Sequence, residues 1–369
     1  MNRLFGWKQT GVFLLALAAG ILPFAVPEIC AAALREGLTL CSGPLLLSLF
    51  PFLVVSRLLI QCPESDLLAL PFRLAAWGIG IRTPCAARVL CIGFLGGFAP
   101  AASAAAQAVR TGQLTAEEAD ALLPACICSG PSFVVLTVGQ SLLGSAELGV
   151  LLFAAQITAN YLTAALLNRF AGVRSVKPES ATPASPAPPR LDEILADAAI
   201  TYCKLCGFIL FFRMLAAGAG ALLPAGAGTL CSILLEVCSG CDLASRTGRW
   251  GSLLCCAALS VQGLSVLLQV RTICPPEMTL RPLYRSRLLH LPLSLALFYL
   301  LLPGGEADVF STLPARVLLM RRVPPDCALL VFAVCCMAAC TLRSGIRQVE
   351  QKQMARNAGG CCINSKTLL

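Results

Sequence analysis

The chain has 369 residues, of which 57% are hydrophobic and 13% are charged, and its mean hydropathy is +0.80. A soluble domain is about half apolar and about a quarter charged, so this composition excludes an ordinary water-soluble protein, which would expose large apolar patches. In lipid only helices or a closed barrel satisfy the backbone polar groups. Long runs of Leu, Ala and Val favour helices, and the sequence predicts an all-α, polytopic integral membrane protein.

About ten apolar segments approach the length needed to cross a bilayer, and we expect eight to ten of them to be membrane segments. The shortest could be re-entrant. The first is interpreted as a membrane helix and not as a signal peptide, because it leads straight into further apolar segments. In chain order the segments are 11–33, 40–61, 85–109, 119–143, 147–169, 200–223, 227–245, 250–270, 288–303 and 327–342.

The formal net charge of +9 comes from basic residues that cluster beside these apolar runs. The positive-inside rule assigns such clusters to cytoplasmic loops, so the charge requires no nucleic acid as a partner. With the N-terminus inside, the basic segments 57–88, 271–287 and 343–366 all fall in the cytoplasm. When the ten segments are counted from that end, the basic segment 169–190 is placed on the opposite, non-cytoplasmic side. This conflict with the rule leaves the topology around 169–195 open.

A stretch rich in Pro, Ser and Ala is predicted to be an exposed linker between two halves that resemble each other. Each half contains a helix, a Gly-containing break, a basic turn and a second break with Ser and Gly. The predicted organisation is an N-terminal membrane helix (1–39), a first repeat (40–171), the linker (172–193), a second repeat (194–303), a C-terminal membrane helix (304–345) and a basic polar tail (346–369).

The breaks of the first half are predicted at Gly93 to Pro100 and at Ser129 to Pro131. Between them lies a polar turn in which Thr115 is expected to cap a new helix, because two acidic residues follow it. The second half carries its breaks at Glu236 to Gly240 and at Ser260 to Ser265.

Such breaks are typical of transporters, whose sites form where discontinuous helices of internal repeats meet near the middle of the membrane. The freed backbone groups there offer hydrogen bonds and partial charge to an anionic or carbonyl group. Alternatively, Gly and Pro are simply frequent in membrane helices and permit close packing, while polar side chains join helices. The predicted substrate-binding residues are Glu236, Gln269, Ser129, Gly130, Gly97, Gly240, Gly263 and Gln262.

Glu236 is the most informative single residue, because it lies within a long apolar run. A carboxylate inside a membrane costs at least ~2.5 kcal/mol and usually marks a pathway, a proton relay or a partnered site. The alternative is a short segment in which Glu236 lies near the membrane interface. We expect Glu236 and Gln269 to face Ser129 and Gly130 across a cavity within the membrane.

No enzyme, metal or cofactor is predicted. The sequence lacks a nucleophile elbow, a P-loop and a zinc-type His pair, and its one histidine is His290. His290 is expected to lie at a membrane boundary with a structural role. The pairs Cys203/Cys206 and Cys238/Cys241 have redox or metal spacing, but cysteines in apolar runs more often pack as small hydrophobic residues.

Two stretches carry a family resemblance. The first reads RTGQLTAEEADALL and is followed by CSGPSF; the second consists of LLEVCSG and LSVQGLSVLLQV. Over residues 40–300 the chain resembles the nucleoside-recognition, or Gate, domain of the YlbJ family of sporulation integral membrane proteins. It departs from the family in the first break, where Gly97 to Ser103 replaces a pattern close to Gly-Tyr-Pro-x-Gly-Ala-Lys.

The resemblance implies a multi-pass protein of the sporangium membranes in an endospore-forming bacterium, which acts in spore cortex formation. Related Gate domains occur in spore maturation proteins and in nucleoside and ferrous-iron transporters, which suggests by analogy that the protein moves or senses a small polar solute. Its partners would be the lipid bilayer, that solute and other sporulation membrane proteins. The alternative is a non-transporting scaffold of a sporulation membrane complex. The solute, the coupling ion, the oligomeric state and the role of Cys361 and Cys362 are not predicted.

Overall fold

A computed structural model describes most of the chain, and within that part every regular element is a helix. The described residues are 13, 16, 17, 19–61, 65–172 and 191–302. The predicted C-terminal membrane helix (304–345), the basic tail (346–369) and most of the linker lie outside these residues.

Residues 19–25 are helical, and they are followed by fourteen α-helices with defined bounds in the described residues, together with one π-helix and one short 3-10 turn. In chain order they are α1 (Pro27–Ser42), α2 (Pro44–Gln61), α3 (Ser65–Leu68), α4 (Leu70–Gly78), α5 (Pro84–Gly96), α6 (Phe98–Arg110), α7 (Ala116–Cys126), the π-helix (Ser132–Leu142), α8 (Ala146–Ala171), α9 (Leu191–Leu222), α10 (Ala225–Leu235), α11 (Val237–Ser245), the 3-10 turn (Gly248–Trp250), α12 (Gly251–Val261), α13 (Gly263–Ile273) and α14 (Arg281–Leu301).

Helices are interrupted in all four regions where the sequence predicts breaks. Gly97 separates α5 from α6 with φ of 82° and ψ of −163°, a backbone conformation that is essentially restricted to glycine. Residues 127–131 separate α7 from the π-helix. Glu236 is extended between α10 and α11, with φ of −150°. Gln262, between α12 and α13, has a left-handed φ of 65°.

The interruptions pack against each other in pairs. A Cβ atom on Gly97 would lie 2.6 Å from the amide nitrogen of Gly130, and a Cβ on Gly263 would lie 3.0 Å from the amide nitrogen of Glu236. Only glycine allows two backbones to approach so closely. We call the Gly97/Gly130 contact the first crossing and the Gly263/Glu236 contact the second crossing. Each crossing buries peptide groups that have left a regular helix against other peptide groups.

The helices that follow the interruptions bring the two parts of the chain together. Helix α6 packs against α13, and α11 packs against the π-helix. Continuous helices cover them: α8 contacts α7, the π-helix and α14, while α9 contacts α1, α2 and α10. The crossings therefore lie within the helical assembly and not at its edge.

Two acidic side chains fix the polar turns. Thr115 and Glu118 form a reciprocal capping box at the start of α7, as the sequence predicts for Thr115. The carboxylate of Asp120 accepts hydrogen bonds from the backbone N–H of Thr279 at 2.8 Å and of Leu280 at 3.0 Å. Because Leu280 immediately precedes α14, Asp120 holds the start of that helix against α7.

Three helical stretches in the described residues are long and apolar enough to cross a membrane: Ala146–Ala171, Leu191–Leu222 and Gly248–Ile273. The third runs through the interruption at Gln262. Large apolar side chains also point outward; Phe170, Leu288 and Leu300 are 77–81% exposed. An outer surface with many exposed apolar side chains is more stable in contact with lipid than in contact with water.

Two details of the sequence prediction are wrong. Gly240 does not mark a break, because it lies inside α11; a Cβ there would lie 2.8 Å from the Ile233 Cα, so the glycine serves close helix packing. The predicted basic loop at Arg287 is also wrong. Helix α14 begins at Arg281, which places Arg287 within a helix and not in a basic loop.

Gly97→Ala tests the first crossing. We expect this substitution to combine a backbone strain of about 1–3 kcal/mol with an overpacking penalty of about 1–3 kcal/mol. Gly112→Ala is the matched control, because Gly112 has φ of 69° and no atom within 4 Å of its Cβ position. Unfolding temperatures of the purified variants in detergent measure the difference. Equal losses in the two variants would contradict the close contact.

Candidate functional site

Glu236 has partners within its own segment. The side chain is 2% exposed, and its two oxygens accept hydrogen bonds from the backbone N–H of Cys238 at 2.9 Å and of Ser239 at 2.7 Å. These are among the first N–H groups of α11, which no helical carbonyl can satisfy. Glu236 therefore caps α11 at the second crossing.

The two predicted glutamines each keep one polar atom without a partner. Gln262 Nε2 donates to the Leu259 carbonyl at 2.6 Å, and Gln269 Nε2 donates to Ser265 Oγ at 2.9 Å. Both Oε1 atoms are buried and accept no hydrogen bond within the described part of the chain. Buried polar atoms are nearly always paired, so these oxygens are available to a donor.

The predicted residues divide between the two crossings. Gly97, Ser129 and Gly130 belong to the first, and Glu236, Gln262 and Gly263 belong to the second, with Gly240 and Gln269 further along α11 and α13. In the described residues, neither Glu236 nor Gln269 hydrogen-bonds to Ser129 or Gly130. A cavity that brings all four together stays a prediction.

A denser group of buried polar side chains lies where α8, α12 and α14 meet. Each member is at most 7% exposed. We call it the Arg287 cluster; it consists of Gln156, Asn160, Ser260, Ser286, Arg287, His290 and Ser294.

Arg287 links the two crossings. Its Nη2 donates to Asn160 Oδ1 at 3.3 Å, and its Nη1 donates to the Ser260 carbonyl at 3.4 Å. Asn160 in turn donates through Nδ2 to the Ile127 carbonyl at 3.4 Å. Ile127 directly follows α7 at the first crossing, and Ser260 lies two residues before Gln262. The guanidinium therefore joins peptide groups from both interrupted regions.

Neutral side chains extend the cluster along α8 and α14. Gln156 Nε2 donates to Ser260 Oγ at 2.9 Å, and Ser260 Oγ also hydrogen-bonds to Ser294 Oγ. His290 Nε2 lies 3.2 Å from the Gln156 carbonyl oxygen, so it donates in the tautomer that protonates Nε2. Gln156 Oε1 and His290 Nδ1 are buried and unpaired within the described residues.

The charge of Arg287 is not neutralised by any carboxylate within ion-pair distance in the described residues. In contrast, Arg57 pairs with Asp197 at 2.7 Å and Arg213 pairs with Glu36 at 2.8 Å. The hydrogen bonds of Arg287 are 3.3–3.4 Å long, whereas a bond from a cation to a carboxylate is about 2.7–2.9 Å. A buried, unpaired charge is costly. The cluster is therefore suited to bind an anionic group.

The sequence carries a signal for this cluster that the predictions did not include. Gln156 and Asn160 are four residues apart, and Arg287, His290 and Ser294 follow at intervals of three and four, so each set falls on one helical face. Assigning Arg287 to a loop was wrong, because it lies within α14 and its side chain is buried. His290 is buried as well, and its place at a membrane boundary stays a prediction. No group of three or more His, Cys, Asp or Glu side chains in the described residues is arranged to hold a metal ion.

Glu236→Ala tests the capping role. We expect a loss of about 1–2 kcal/mol, because two buried N–H groups lose their acceptor. Glu147→Ala is the control; Glu147 also lies in the first turn of a helix, but it is exposed, and we expect a change within about 0.5 kcal/mol. Unfolding in detergent measures both values. A loss no greater than that of the control would rule out a structural cap.

Comparison with protein-family models, with curated proteins and with solved structures finds no match to this chain.

Proposed function

We propose that the protein is a multi-pass membrane protein that moves or senses a small anionic solute, and that Arg287 anchors the charge of that solute. The observation that carries the proposal is a buried guanidinium that joins both crossings and has no carboxylate partner in the described residues. An anionic solute would supply the missing counter-charge. Arg is the side chain best suited to hold a carboxylate or phosphate group with two parallel hydrogen bonds.

The membrane placement is supported by the lengths of the interrupted pairs. Residues 84–110, 116–142, 225–245 and 251–273 each contain two helical pieces, and about 20 residues suffice to cross the apolar core. We propose that each pair crosses the membrane as one broken segment, so that the two crossings form the cores of two Gate-like repeats. Freed backbone groups persist at such depth only where protein or a wet cavity surrounds them, and the buried crossings meet that condition.

Binding of the solute would change the link between the crossings. Its anionic group would compete with Asn160 Oδ1 and the Ser260 carbonyl for the guanidinium, because both of these bonds are long. Release of Asn160 from Arg287 would uncouple Ile127, at the first crossing, from α12. A solute that binds one arrangement more tightly than the other shifts the population towards it, which is the requirement for transport and for sensing alike.

The biological setting rests on the sequence resemblance alone. We retain as part of the proposal that the protein acts in spore cortex formation, in the sporangium membranes of an endospore-forming bacterium. In this proposal the eight predicted site residues are not the main contacts to the charge of the solute. They build and cap the crossings, while the unpaired Oε1 atoms of Gln262 and Gln269 could accept hydrogen bonds from the rest of the solute.

One observation favours the alternative, a non-transporting scaffold. Ser260 hydrogen-bonds to both Gln156 and Ser294, which lie on two other helices, and such bonds can serve simply to hold membrane helices together. The two functions differ in what Arg287 does for stability. A structural arginine stabilises the fold, whereas an arginine kept for a ligand leaves a buried charge uncompensated until the ligand binds.

Arg287→Met separates these functions. We expect the variant to unfold at the wild-type temperature or above, because removal of an uncompensated buried charge offsets the loss of its two long hydrogen bonds. We also expect loss of solute accumulation in proteoliposomes that are incubated with a cell extract and assayed by untargeted mass spectrometry. Arg285→Met is the matched control, since Arg285 is exposed on the same helix, and it should retain accumulation.

Two results would contradict the proposal. One is accumulation of the same solutes by Arg287→Met and wild-type protein. The other is strong destabilisation by Arg287→Met while wild-type proteoliposomes accumulate no anionic solute, which would leave the scaffold as the better account.

A further inference from the structure

A second cationic site lies apart from the Arg287 cluster, among α2, α6, α9 and α13. It is a cavity of about 140 Å³, smaller than the pockets that hold drug-sized ligands. Three of its lining side chains are cationic, namely Arg57, Arg110 and Lys204, and one is anionic, Asp197. The lining therefore carries two more positive than negative charges.

Arg57 forms the fixed wall of this cavity. It is buried, and its Nε donates to Ser103 Oγ at 3.2 Å while its Nη2 donates to Thr201 Oγ1 at 3.1 Å. Its Nη1 lies 2.7 Å from Asp197 Oδ2. Two hydroxyl groups thus orient the guanidinium, and a carboxylate occupies its remaining face.

Asp197 is the replaceable member of the site. Its side chain is 63% exposed, whereas that of Arg57 is 10% exposed. An exposed carboxylate returns to water at little cost, whereas the buried Arg57 charge still needs a partner. An incoming anion can therefore take the place of Asp197 while Arg57 stays oriented.

We propose that this cavity binds a phosphoryl group. A phosphate monoester carries a charge of about −1.5 to −2 at neutral pH, which the three cationic side chains of the lining can balance once Asp197 has been displaced. It also presents several acceptor oxygens, which suit the guanidinium and ammonium donors of the lining. The phosphoryl group can belong to a soluble phosphate ester or to an anionic lipid headgroup, because the chemistry recognised is the same.

The site is connected to both crossings. Helix α6 begins directly after Gly97, and α13 begins directly after Gln262. The cavity lies at the other ends of these helices, beside Arg110 and Thr272. A phosphoryl group bound there holds the ends of two interrupted segments together, and so favours the helix arrangement in which they are adjacent.

Binding is tested on the full-length protein in two arms. In neutral detergent, titration with glycerol 3-phosphate is followed by calorimetry, with chloride at equal ionic strength as the reference. In nanodiscs, the unfolding temperature is compared between phosphatidylcholine alone and phosphatidylcholine with phosphatidic acid. We expect saturable binding or stabilisation in at least one arm, and the responding arm identifies the soluble or the lipid source.

Variants assign the response to the cavity. The double variant Arg110→Gln/Lys204→Gln, which leaves Arg57 in place, should weaken the response at least tenfold. The control Arg246→Gln/Arg249→Gln removes two exposed cations that lie outside the cavity and should not weaken it. Asp197→Asn should tighten binding severalfold, because it removes the competing carboxylate.

The proposal is overturned if neither arm responds in the wild-type protein. It is also overturned if the cavity and control double variants weaken the response equally, or if Asp197→Asn fails to tighten it. None of these measurements depends on transport, so the outcome is independent of the role of Arg287.

Discussion

The fold depends on backbone groups that have left a helix and must find partners away from water. At the first crossing Gly97 meets Gly130, and at the second Gly263 meets Glu236. Unpaired peptide groups in an apolar environment cost several kcal/mol each, so neither interrupted segment is stable without the other member of its pair. Glycine allows the approach, and the Glu236 carboxylate supplies acceptors where no carbonyl can.

The same constraint explains why the polar side chains gather where they do. Carbonyl groups that are freed near an interruption attract donors, and Asn160 donates to the Ile127 carbonyl while Arg287 donates to that of Ser260. A neutral donor would suffice for this purpose. The Arg287 guanidinium instead carries a positive charge that no carboxylate in the described residues balances. This unbalanced charge is the reason for proposing an anionic ligand in addition to a structural role. Under the proposed function, stability and ligand binding are in opposition at Arg287, as they commonly are at binding sites.

Local signals in the sequence predicted much of the fold. The capping box at Thr115 and the interruptions at Gly97 and Gly263 follow from residues whose backbone preferences act within a few positions. Gly240 was misjudged because a helical glycine that serves packing looks the same in sequence as a helix-breaking one.

The Arg287 cluster was missed for a different reason: Asn160 and Arg287 are 127 positions apart, and only the packing of α8 against α14 brings them together. Basic residues beside an apolar run indicate a loop on average, but α14 starts before the apolar run does.

The most direct test is an experimental structure of the full-length protein in lipid nanodiscs after incubation with a cell extract. The account predicts interrupted helices at positions 97 and 262, and a non-protein group whose acceptor atoms lie about 3 Å from the Arg287 guanidinium. Continuous helices through those positions, or a carboxylate of the chain itself paired with Arg287, would contradict it.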